Sequence, residues 1–379
     1  MDPQKGLDFH RTGPGKVQIA PLVQFDSPED LQLVYTPGMG YPCLEIAEDP
    51  EKAYEYTMKA RTVAVVTDGT AVLGFGSIGA KAALPVMEGK CLVFKKFANV
   101  DAIPICLDTT DPDEIISIVK NIAPVFGGIQ LEDIKAPECF YIEDRLKEIL
   151  DIPVFHDDQH GTAVVCLAGL INALKVVDKK MEDCKIVING AGAAGIAIAK
   201  ILLQCGAVNV ILADSRGAIN SEREGLNDMK VSMLDVTNPN DEGSLLADIM
   251  VDCDVFLGVS KADLVTQDMV RSMADDPIVF AMANPDPEIK PPLALEAGAA
   301  VVATGRADYP NQVNNVLGFP GIFKALLEMR AGQMTDEMKV AAARGLAGLI
   351  ENPTADKVIP GAFDEGVVDA VVEAMKGCA

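Results

Sequence analysis

The sequence predicts an α/β protein in which a mixed α/β N-terminal domain precedes a Rossmann-type, doubly wound parallel sheet. Apolar segments rich in Val, Ile and Ala alternate with helical segments along most of the chain, which is typical of parallel strands covered on both faces. A glycine-rich turn of dinucleotide-binding spacing follows one of these strands. The 379 residues exceed one ordinary core, so we expect domains over residues 1–160 and 161–379.

Charge and composition exclude several classes of function. The chain carries 32 basic and 56 acidic residues, a formal net charge of −24, and such a field repels nucleic acids and anionic membranes. Its nine cysteines are scattered without a Cys-x-x-Cys pair, which argues against a zinc ribbon or a thioredoxin-type site. There is no apolar run of membrane-spanning length and no signal-peptide core after Met1. We therefore expect a cytoplasmic protein with reduced thiols.

The first half begins with a segment that is predicted to contain little regular secondary structure. Residues 1–50 are rich in Pro and Gly and are predicted to be loops, apart from a helix start at Ser27. Asp49 caps a predicted helix that runs to about Arg61. The predicted strands that follow span residues 62–67, 91–94, 102–107, 127–131 and 152–155, and the predicted helices span residues 111–122 and 138–150.

The second half alternates strands and helices more regularly. A helix over residues 161–177 is predicted to join the two halves, and a helix over residues 192–205 follows the glycine-rich turn. Helices over residues 334–351 and 363–375 are predicted to pack back on the fold. The predicted strands span residues 185–189, 209–213, 254–259, 278–281 and 300–303.

The glycine-rich turn has the features of a nicotinamide dinucleotide site. Gly190 permits a tight turn, Gly192 lets the backbone approach a pyrophosphate, and Gly195 allows close helix–strand packing. The helix amino terminus, with Ala193 and Ala194 inside the motif, offers free N–H groups to the phosphates. A turn with a purely structural role is the alternative.

Two residues beyond this turn bear on the choice of coenzyme. Asp214 ends the next predicted strand, where an acid is expected to accept from the ribose 2′-hydroxyl of NAD. Arg216 can instead pair with the 2′-phosphate of NADP. The choice stays open, with Asp214 favouring NAD.

A second motif of the same spacing, Gly74-Phe75-Gly76-Ser77-Ile78-Gly79, occurs in the first half. No ribose-binding acid lies about 20 residues on, where the dinucleotide motif expects one. We predict instead a tight turn at an active site, before a helix.

Two acidic pairs follow predicted strands. Glu132 and Asp133 come after one strand, and Asp157 and Asp158 come after the next. Their oxygens suit Mg²⁺ or Mn²⁺ rather than zinc, although caps of the following helices are an equally weighted interpretation. The neighbouring His156 and His160 are predicted to serve core packing or hydrogen bonding.

Considered without further context, Lys90 and Tyr35 have ordinary structural roles. Lys90 is predicted at the start of the strand over residues 91–94. Partial desolvation beside a metal ion would lower the pKa of this lysine and make it a usable general base, whereas a surface lysine is the alternative. Tyr35 is by default a packed aromatic residue beside a turn.

These residues and their surroundings resemble the malic enzymes, in particular the short prokaryotic-type form. The similarity rests on long, ordered motifs and runs from about residue 8 almost to the end of the chain. The motifs lie at residues 35–38, 67–69, 85–90, 131–137, 155–162 and 311–316.

The resemblance implies oxidative decarboxylation of (S)-malate to pyruvate and CO₂ by a homodimer that uses NAD or NADP and Mg²⁺ or Mn²⁺. A malolactic-type conversion of malate to lactate with bound NAD is the alternative, and a nucleotide-sensing protein on an inactive scaffold is a more distant one. The implied metal ligands are Glu132, Asp133 and Asp158, with Asp157 as a neighbouring acid.

The resemblance also assigns the proton transfers. Lys90 matches the base that takes the C2 hydroxyl proton, and Tyr35 matches the acid that protonates C3 of enolpyruvate. Asn284 and Asn315 resemble the amides that bind malate and the nicotinamide end of the coenzyme.

One departure from the family concerns the grip on a malate carboxylate. Larger members carry an arginine after the Asp-Gly pair, and none follows Asp68 and Gly69 here. Lys81, Lys135, Arg306 or a residue of a second subunit are the candidates.

Overall fold

The computed structural model describes residues 3–12 and 15–378 and contains two sheets. The first sheet has four parallel strands in the order β2-β1-β3-β4. Its central strand pairs Val63 with Ala102 on one side and Ala64 with Ile129 on the other. The strands are β1 (Thr62–Thr67), β2 (Asp101–Cys106), β3 (Gly128–Leu131) and β4 (Val154–His156).

Within the described residues, eight α-helices belong to this half or lead out of it. α5 packs on β1 and β2, and α6 packs on α7. The helices are α1 (Pro3–Arg11), α2 (Pro28–Val34), α3 (Gly40–Glu48), α4 (Ala53–Tyr56), α5 (Ala80–Val93), α6 (Pro112–Ile122), α7 (Glu138–Ile149) and α8 (Asp157–Val176).

The second sheet has the order β10-β9-β8-β5-β6-β7. Five strands are parallel, and β7 adds a short antiparallel edge. The predicted fold class, a doubly wound Rossmann-type sheet after an α/β domain, is thus confirmed. The strands are β5 (Lys185–Asn189), β6 (Asn209–Asp214), β7 (Gly217–Ala218), β8 (Val255–Gly258), β9 (Ile278–Ala281) and β10 (Val301–Thr304).

The α-helices described in the second half are α9 (Ala193–Gln204), α10 (Asp228–Leu234), α11 (Leu246–Ile249), α12 (Gln267–Arg271), α13 (Pro291–Glu296), α14 (Phe319–Met329), α15 (Asp336–Gly348) and α16 (Val367–Lys376). Of these, α9 packs on β5 and β6 and α13 packs on β10, whereas α14, α15 and α16 form a group in which α16 packs on both others and α14 also contacts β3 of the first sheet.

A single apolar core joins the two sheets. It runs from β1 through α8 to β5, and a smaller cluster lies on the opposite face of the second sheet. Fourteen of the 20 residues of α8 are buried, because this helix packs against both α9 and α15. Among the described helices, none is both long and apolar enough to cross a bilayer.

The predicted strand over residues 91–94 is wrong. These residues end α5 and begin a π-helical turn, Phe94–Ala98. Met87, Cys91 and Phe94 are buried at helical spacing, and a four-residue apolar run does not distinguish a buried strand from a buried helix. Lys90 therefore lies in a helix.

Two predictions for the amino-terminal region are also wrong. The helix expected from Asp49 to Arg61 is interrupted at Thr57, whose backbone is extended, although Asp49 does cap its start by accepting from the Glu51 N–H at 3.1 Å. The region expected to be loops contains α1 and α3 besides the helix at Ser27. Pro42 does not prevent α3 because it stands in the first turn.

Residues 15–48, called the N-terminal arm below, contact little of the rest of the chain. None of them is buried. The arm is attached near its start, where the Lys16 N–H donates to Glu88 at 3.0 Å, and near its end, where Glu45 accepts from Lys52 and Tyr56. Residues 31–44 contain no charged side chain.

Candidate active site

A cavity of about 410 Å³ lies where the carboxyl ends of the two sheets face each other. Ligands of open parallel sheets bind at this edge, where the loops after the strands converge. Both halves of the chain contribute to the walls. The lining residues are Ala71, Leu73, Gly74, Val86, Lys90, Glu132, Asp133, Asp158, Thr162, Val165, Ala194, Val259, Ser260, Met282, Ala283, Asn284, Val313, Asn314 and Asn315.

Three carboxylates meet on the wall formed by the first sheet. Glu132 and Asp133 follow β3, and Asp158 lies in the first turn of α8, directly after β4. Because β3 and β4 are parallel neighbours, their carboxyl ends bring the acids together. One oxygen from each residue lies within 4.8 Å of the others.

These carboxylates fit a hard divalent cation. The Asp133 N–H donates to Asp158 Oδ2 at 2.9 Å, while Asp133 Oδ2 is buried without a hydrogen-bond partner in the described structure. Burial and neighbouring carboxylates raise the pKa of Glu132 well above its usual range and that of Asp133 to about 7. A cation bound by these oxygens offsets both burial and mutual repulsion.

Asp133 has a backbone conformation that few residues adopt. Its φ of +53° lies in the left-handed region, where aspartate is tolerated better than most residues. Its carbonyl accepts from the Ala71 N–H at 2.9 Å, which ties the acidic wall to the loop after β1.

Lys90 lies beside these acids. Its Nζ is 2.6 Å from Asp157 Oδ2, 3.0 Å from Glu132 Oε1, and 4.7 Å from the centre of the Phe319 ring. Burial lowers the pKa of Lys90, but Asp157, Glu132 and Asp158 together outweigh burial and raise it above the ordinary value. The lowered pKa predicted from the sequence concerns Lys90 beside a bound metal ion, and it stays a prediction.

Asp157 is completely buried and depends on a glycine one turn later. A Cβ at Gly161 would overlap Asp157 Oδ1, so the absence of a side chain makes room for the carboxylate. Burial raises the pKa of Asp157 to about 6, against the opposing effect of Lys90.

Glu143, which the sequence does not single out, supports this wall from behind. It is buried on α7 and accepts from the His156 N–H at 3.1 Å and from Gln159 at 2.9 Å. His160 Nε2 lies 2.8 Å from Glu143 Oε1, in agreement with the predicted hydrogen-bonding role. His156 is buried, and its ring nitrogens have no hydrogen-bond partner in the described structure.

The glycine-rich turn forms the opposite wall. Gly190 has a φ of +126°, and a Cβ there would come within 2.6 Å of the Val259 carbonyl oxygen. A Cβ at Gly195 would overlap the Gly190 carbonyl oxygen, whereas one at Gly192 would meet nothing within 4 Å. α9 starts at Ala193 without a side-chain cap, so its first N–H groups are available to an anion.

Asp214 already has cationic partners at the end of β6. Its two oxygens lie 2.8 Å from Arg223 and 2.9 Å from Lys230, and the Arg216 N–H donates to it at 2.9 Å. Burial raises the pKa of Asp214, but hydrogen bonds from Lys230 and Arg223 lower it to about 2. The Arg216 side chain is exposed. Asp214 and its two cationic partners therefore lie at the position where the ribose of the coenzyme is expected.

The second glycine motif forms a turn before α5, as predicted. Gly74, Gly76 and Gly79 all have left-handed φ values, and a Cβ at Gly74 would overlap the Asn284 carbonyl oxygen. This close approach brings the loops of the two halves together beside Asn284. Asn315 lines the same part of the cavity with Asn314, which the prediction omits.

Glu288 is a second buried acid that sequence reasoning missed. Its carboxylate accepts from the Ser260 N–H at 2.9 Å and from the Ala283 N–H at 3.0 Å. Both donors belong to loops that line the cavity, so Glu288 holds these loops in place. An acid in a proline-rich turn has no periodicity that would indicate this role.

Several predicted residues do not reach the cavity. Tyr35 is 65% exposed on the N-terminal arm. Lys81 is exposed, Lys135 pairs with Glu138, and Arg306 pairs with Asp286 and Asp308. Of the lining residues in the described structure, Lys90 alone carries a positive charge.

Comparison with known families agrees with this arrangement. The family model for the malic enzyme N-terminal domain matches residues 15–147, and the model for the malic enzyme NAD-binding domain matches residues 159–365. The chain belongs to the malic enzyme family. The first matched segment contains Glu132 and Asp133, and the second contains the glycine-rich turn.

Curated members of the malic enzyme family cover nearly the whole chain. The bifunctional malic/malolactic enzyme of Bacillus subtilis is 54% identical over 98% of this chain and 92% of its own length. The NAD-dependent malic enzyme of Geobacillus stearothermophilus is 56% identical over 95% of this chain and 76% of its own. The NADP-dependent malic enzyme of Escherichia coli is 50% identical over 91% of this chain and 46% of its own.

A solved malic enzyme has the same fold. The NAD-dependent malic enzyme of Thermotoga maritima superposes with a TM-score of 0.95 at 48% identity, and the superposition covers 98% of each chain.

Proposed function

We propose that this malic enzyme converts (S)-malate to pyruvate and CO₂ and reduces NAD⁺ or NADP⁺ in a reaction that needs Mg²⁺ or Mn²⁺. The observation that supports this most directly is the juxtaposition across one cavity. Glu132, Asp133, Asp158 and Lys90 face the glycine-rich turn and Asn284. A hard-cation site opposite a dinucleotide site suits a hydroxy acid that is first oxidised and then decarboxylated.

Three residues would hold the cation, namely Glu132, Asp133 and Asp158. When bound, the cation and the coenzyme supply polarisation of the C2 oxygen and a hydride acceptor. Asp157 accepts instead from Lys90 and orients this lysine in our proposal.

Lys90 is the proposed base, and Asp157 positions it. Asp157 Oδ2 lies 2.6 Å from Lys90 Nζ and so fixes the direction of this group. A cation held by Glu132, Asp133 and Asp158 would compensate the negative charges that raise the pKa of Lys90, and the neutral amine would then accept the C2 hydroxyl proton of malate.

The remaining lining residues orient the reactants. The free N–H groups at the start of α9 hold the pyrophosphate, and Asn284 and Asn315 donate amide hydrogens to malate and to the nicotinamide end. No arginine lines the described cavity, so these amides, together with Lys90, are our candidates for the malate carboxylates.

The product that leaves the enzyme distinguishes two reactions. A malolactic-type reaction is the second candidate, and the name of the Bacillus subtilis relative, which includes both activities, supports considering it.

We also propose a cytoplasmic location, which the nine free cysteines support.

Steady-state kinetics with malate test the proposal. The assay compares NAD⁺ with NADP⁺ at fixed Mn²⁺ and follows both absorbance at 340 nm and lactate. Formation of NADH or NADPH in step with pyruvate is the expected result. Lactate without net reduced coenzyme would establish the malolactic alternative, and absence of any malate turnover would refute both reactions.

A further inference from the structure

We propose that Gln130, a buried glutamine of β3, is a positioning residue for the reaction, because it holds the Glu132 carboxylate in the direction that the cation site and Lys90 both require. The role of the cation rests on the proposed function. The contact between the two side chains does not depend on that function.

The first observation is the place of Gln130 in the first sheet. β3 lies between β1 and β4, and the register partners of Gln130 on these strands are Val65 and Phe155. All three residues are completely buried. Strands of a parallel sheet that is covered on both faces are normally apolar throughout. A glutamine at this position is therefore an exception that needs a polar partner.

The second observation is the partner itself. Gln130 Nε2 donates to Glu132 Oε2 at 2.7 Å. The Glu132 N–H still pairs with the Val66 carbonyl at 2.8 Å, so the extended chain continues past the end of β3. Side chains two positions apart on an extended chain point to the same face. Because an ionised carboxylate only accepts hydrogen bonds, the amide must present its N–H₂ end to it.

The third observation is an unfavourable one for stability. Gln130 Oε1 is buried without a hydrogen-bond partner in the part of the chain that the structure describes. A buried polar atom without a partner destabilises a fold. An apolar side chain of the same length, such as methionine, would avoid this penalty. Core packing alone therefore does not account for a glutamine at this position.

The contact fixes the direction of the Glu132 carboxylate. Gln130 holds Oε2, and Oε1 lies 3.0 Å from Lys90 Nζ. The carboxylate cannot rotate about its terminal bond without breaking the hydrogen bond to the amide. Glu132 is one of the three acids of the cation site, and Lys90 is the proposed base. Gln130 therefore acts on both of them through Glu132.

Binding of Mn²⁺ tests the proposal without turnover. Gln130→Met keeps the length of the side chain and removes the donor. The dissociation constant for Mn²⁺, measured by electron paramagnetic resonance of the unbound ion, should rise by about tenfold, because hydrogen bonds to ligating carboxylates commonly contribute this much. The melting temperature without added Mn²⁺ should stay within about 3 °C of the wild type, since the unpartnered oxygen is removed together with the donor. An unchanged dissociation constant would overturn the proposal.

Gln333→Met is the matched control. Gln333 is half-buried, donates to the Ile152 carbonyl at 3.1 Å and accepts from the Val154 N–H at 3.2 Å. These contacts lie at the amino end of β4, away from the cavity. The control should lower the melting temperature and leave the Mn²⁺ dissociation constant within about twofold of the wild type. A rise as large as in Gln130→Met would show that any loosening of the first sheet weakens the site, and the specific role of Gln130 would be wrong.

A double-mutant cycle tests whether Gln130 acts through Glu132. Glu132→Asp keeps a carboxylate but shortens the side chain by one methylene, which takes the carboxylate out of reach of the amide. In this background, Gln130→Met should change the Mn²⁺ dissociation constant by less than about twofold, compared with about tenfold in the native background. Equal effects in the two backgrounds would show that Gln130 does not act through Glu132.

Steady-state kinetics with malate separate the possible failures. If malate is not turned over but Gln130→Met weakens Mn²⁺ binding as expected, the proposed function is wrong and the positioning role is supported. If malate is turned over but Gln130→Met keeps the wild-type Mn²⁺ affinity and kcat/KM, the function is supported and the positioning role is wrong. A wild type that binds no Mn²⁺ would refute both.

Discussion

The wall that follows β3 and β4 presents two buried carboxylates and one half-buried carboxylate to the cavity, whereas the wall that follows β5 presents backbone. On the acidic wall, Glu132, Asp133 and Asp158 contribute negative charge, and removing one side chain removes one of the oxygens of the proposed cation site. On the glycine wall, Gly190 and Gly195 act through the absence of atoms, and adding one methyl group creates an overlap. The two walls therefore fail in opposite ways and should fail separately.

The largest effect is expected on the acidic wall. Asp158→Ala removes a carboxylate from the proposed cation site and should lower Mn²⁺-dependent malate oxidation by about 10³-fold or more. Binding of NADH, followed by its fluorescence, should change by less than about threefold, because the glycine wall is untouched. Asp268→Ala, at a highly exposed aspartate, is the control. Unchanged Mn²⁺ dependence in Asp158→Ala would remove this residue from the site.

The next effect is expected on the glycine wall. Gly195→Ala should weaken NADH binding by about tenfold or more and lower the melting temperature, because its Cβ overlaps the Gly190 carbonyl. Gly192→Ala is the matched variant. Its Cβ has open space, so it should keep the melting temperature and lose affinity only when a pyrophosphate approaches. Mn²⁺ binding should survive in both, and its loss would contradict the separation of the walls.

Glu288 sharpens the comparison of the two walls, because it is a buried acid that lies on the side of the glycine wall. Glu288→Gln replaces one acceptor by a donor facing a backbone N–H, which should lower the free energy of unfolding by about 1–3 kcal/mol. Because Ser260 and Ala283 shift with it, kcat/KM for malate should fall several-fold. Chemical denaturation beside the exposed control Glu296→Gln measures the first effect. Wild-type values for both quantities would show that the loops do not depend on Glu288.

The smallest effect concerns coenzyme choice. Asp214→Ala frees Arg223 and Lys230 for a 2′-phosphate and removes the acceptor for a ribose hydroxyl. The ratio of kcat/KM for NADP⁺ to that for NAD⁺ should rise by about tenfold. A ratio equal to that of the control Asp248→Ala would show that Asp214 does not contact the ribose.

Sequence patterns predict the residues of the two walls better than the secondary structure around Lys90 or the buried acids that support the walls. The acidic pairs and the glycine-rich turn are adjacent to strands in sequence, so parallel pairing brings them to the sheet edges. Lys90 was placed correctly near the site but in the wrong element, because a short apolar run does not define its own secondary structure.

Other parts of the site depend on long-range contacts. Glu288 and Glu143 hold loops and backbone through tertiary hydrogen bonds, which leave no local pattern in the sequence. Tyr35 is exposed on the N-terminal arm, and the hydrophobicity of a segment alone does not show whether it packs on the core of its own chain.

α8 has a consequence for dividing or reshaping the protein. It begins with Asp157 and Asp158 on the acidic wall and packs along α9, which carries the glycine wall at its start. The predicted boundary between residues 160 and 161 falls inside this helix. A split-protein version cut there would divide a buried helix in its first turns, whereas a cut between Val176 and Lys185 would leave α8 and β5 whole.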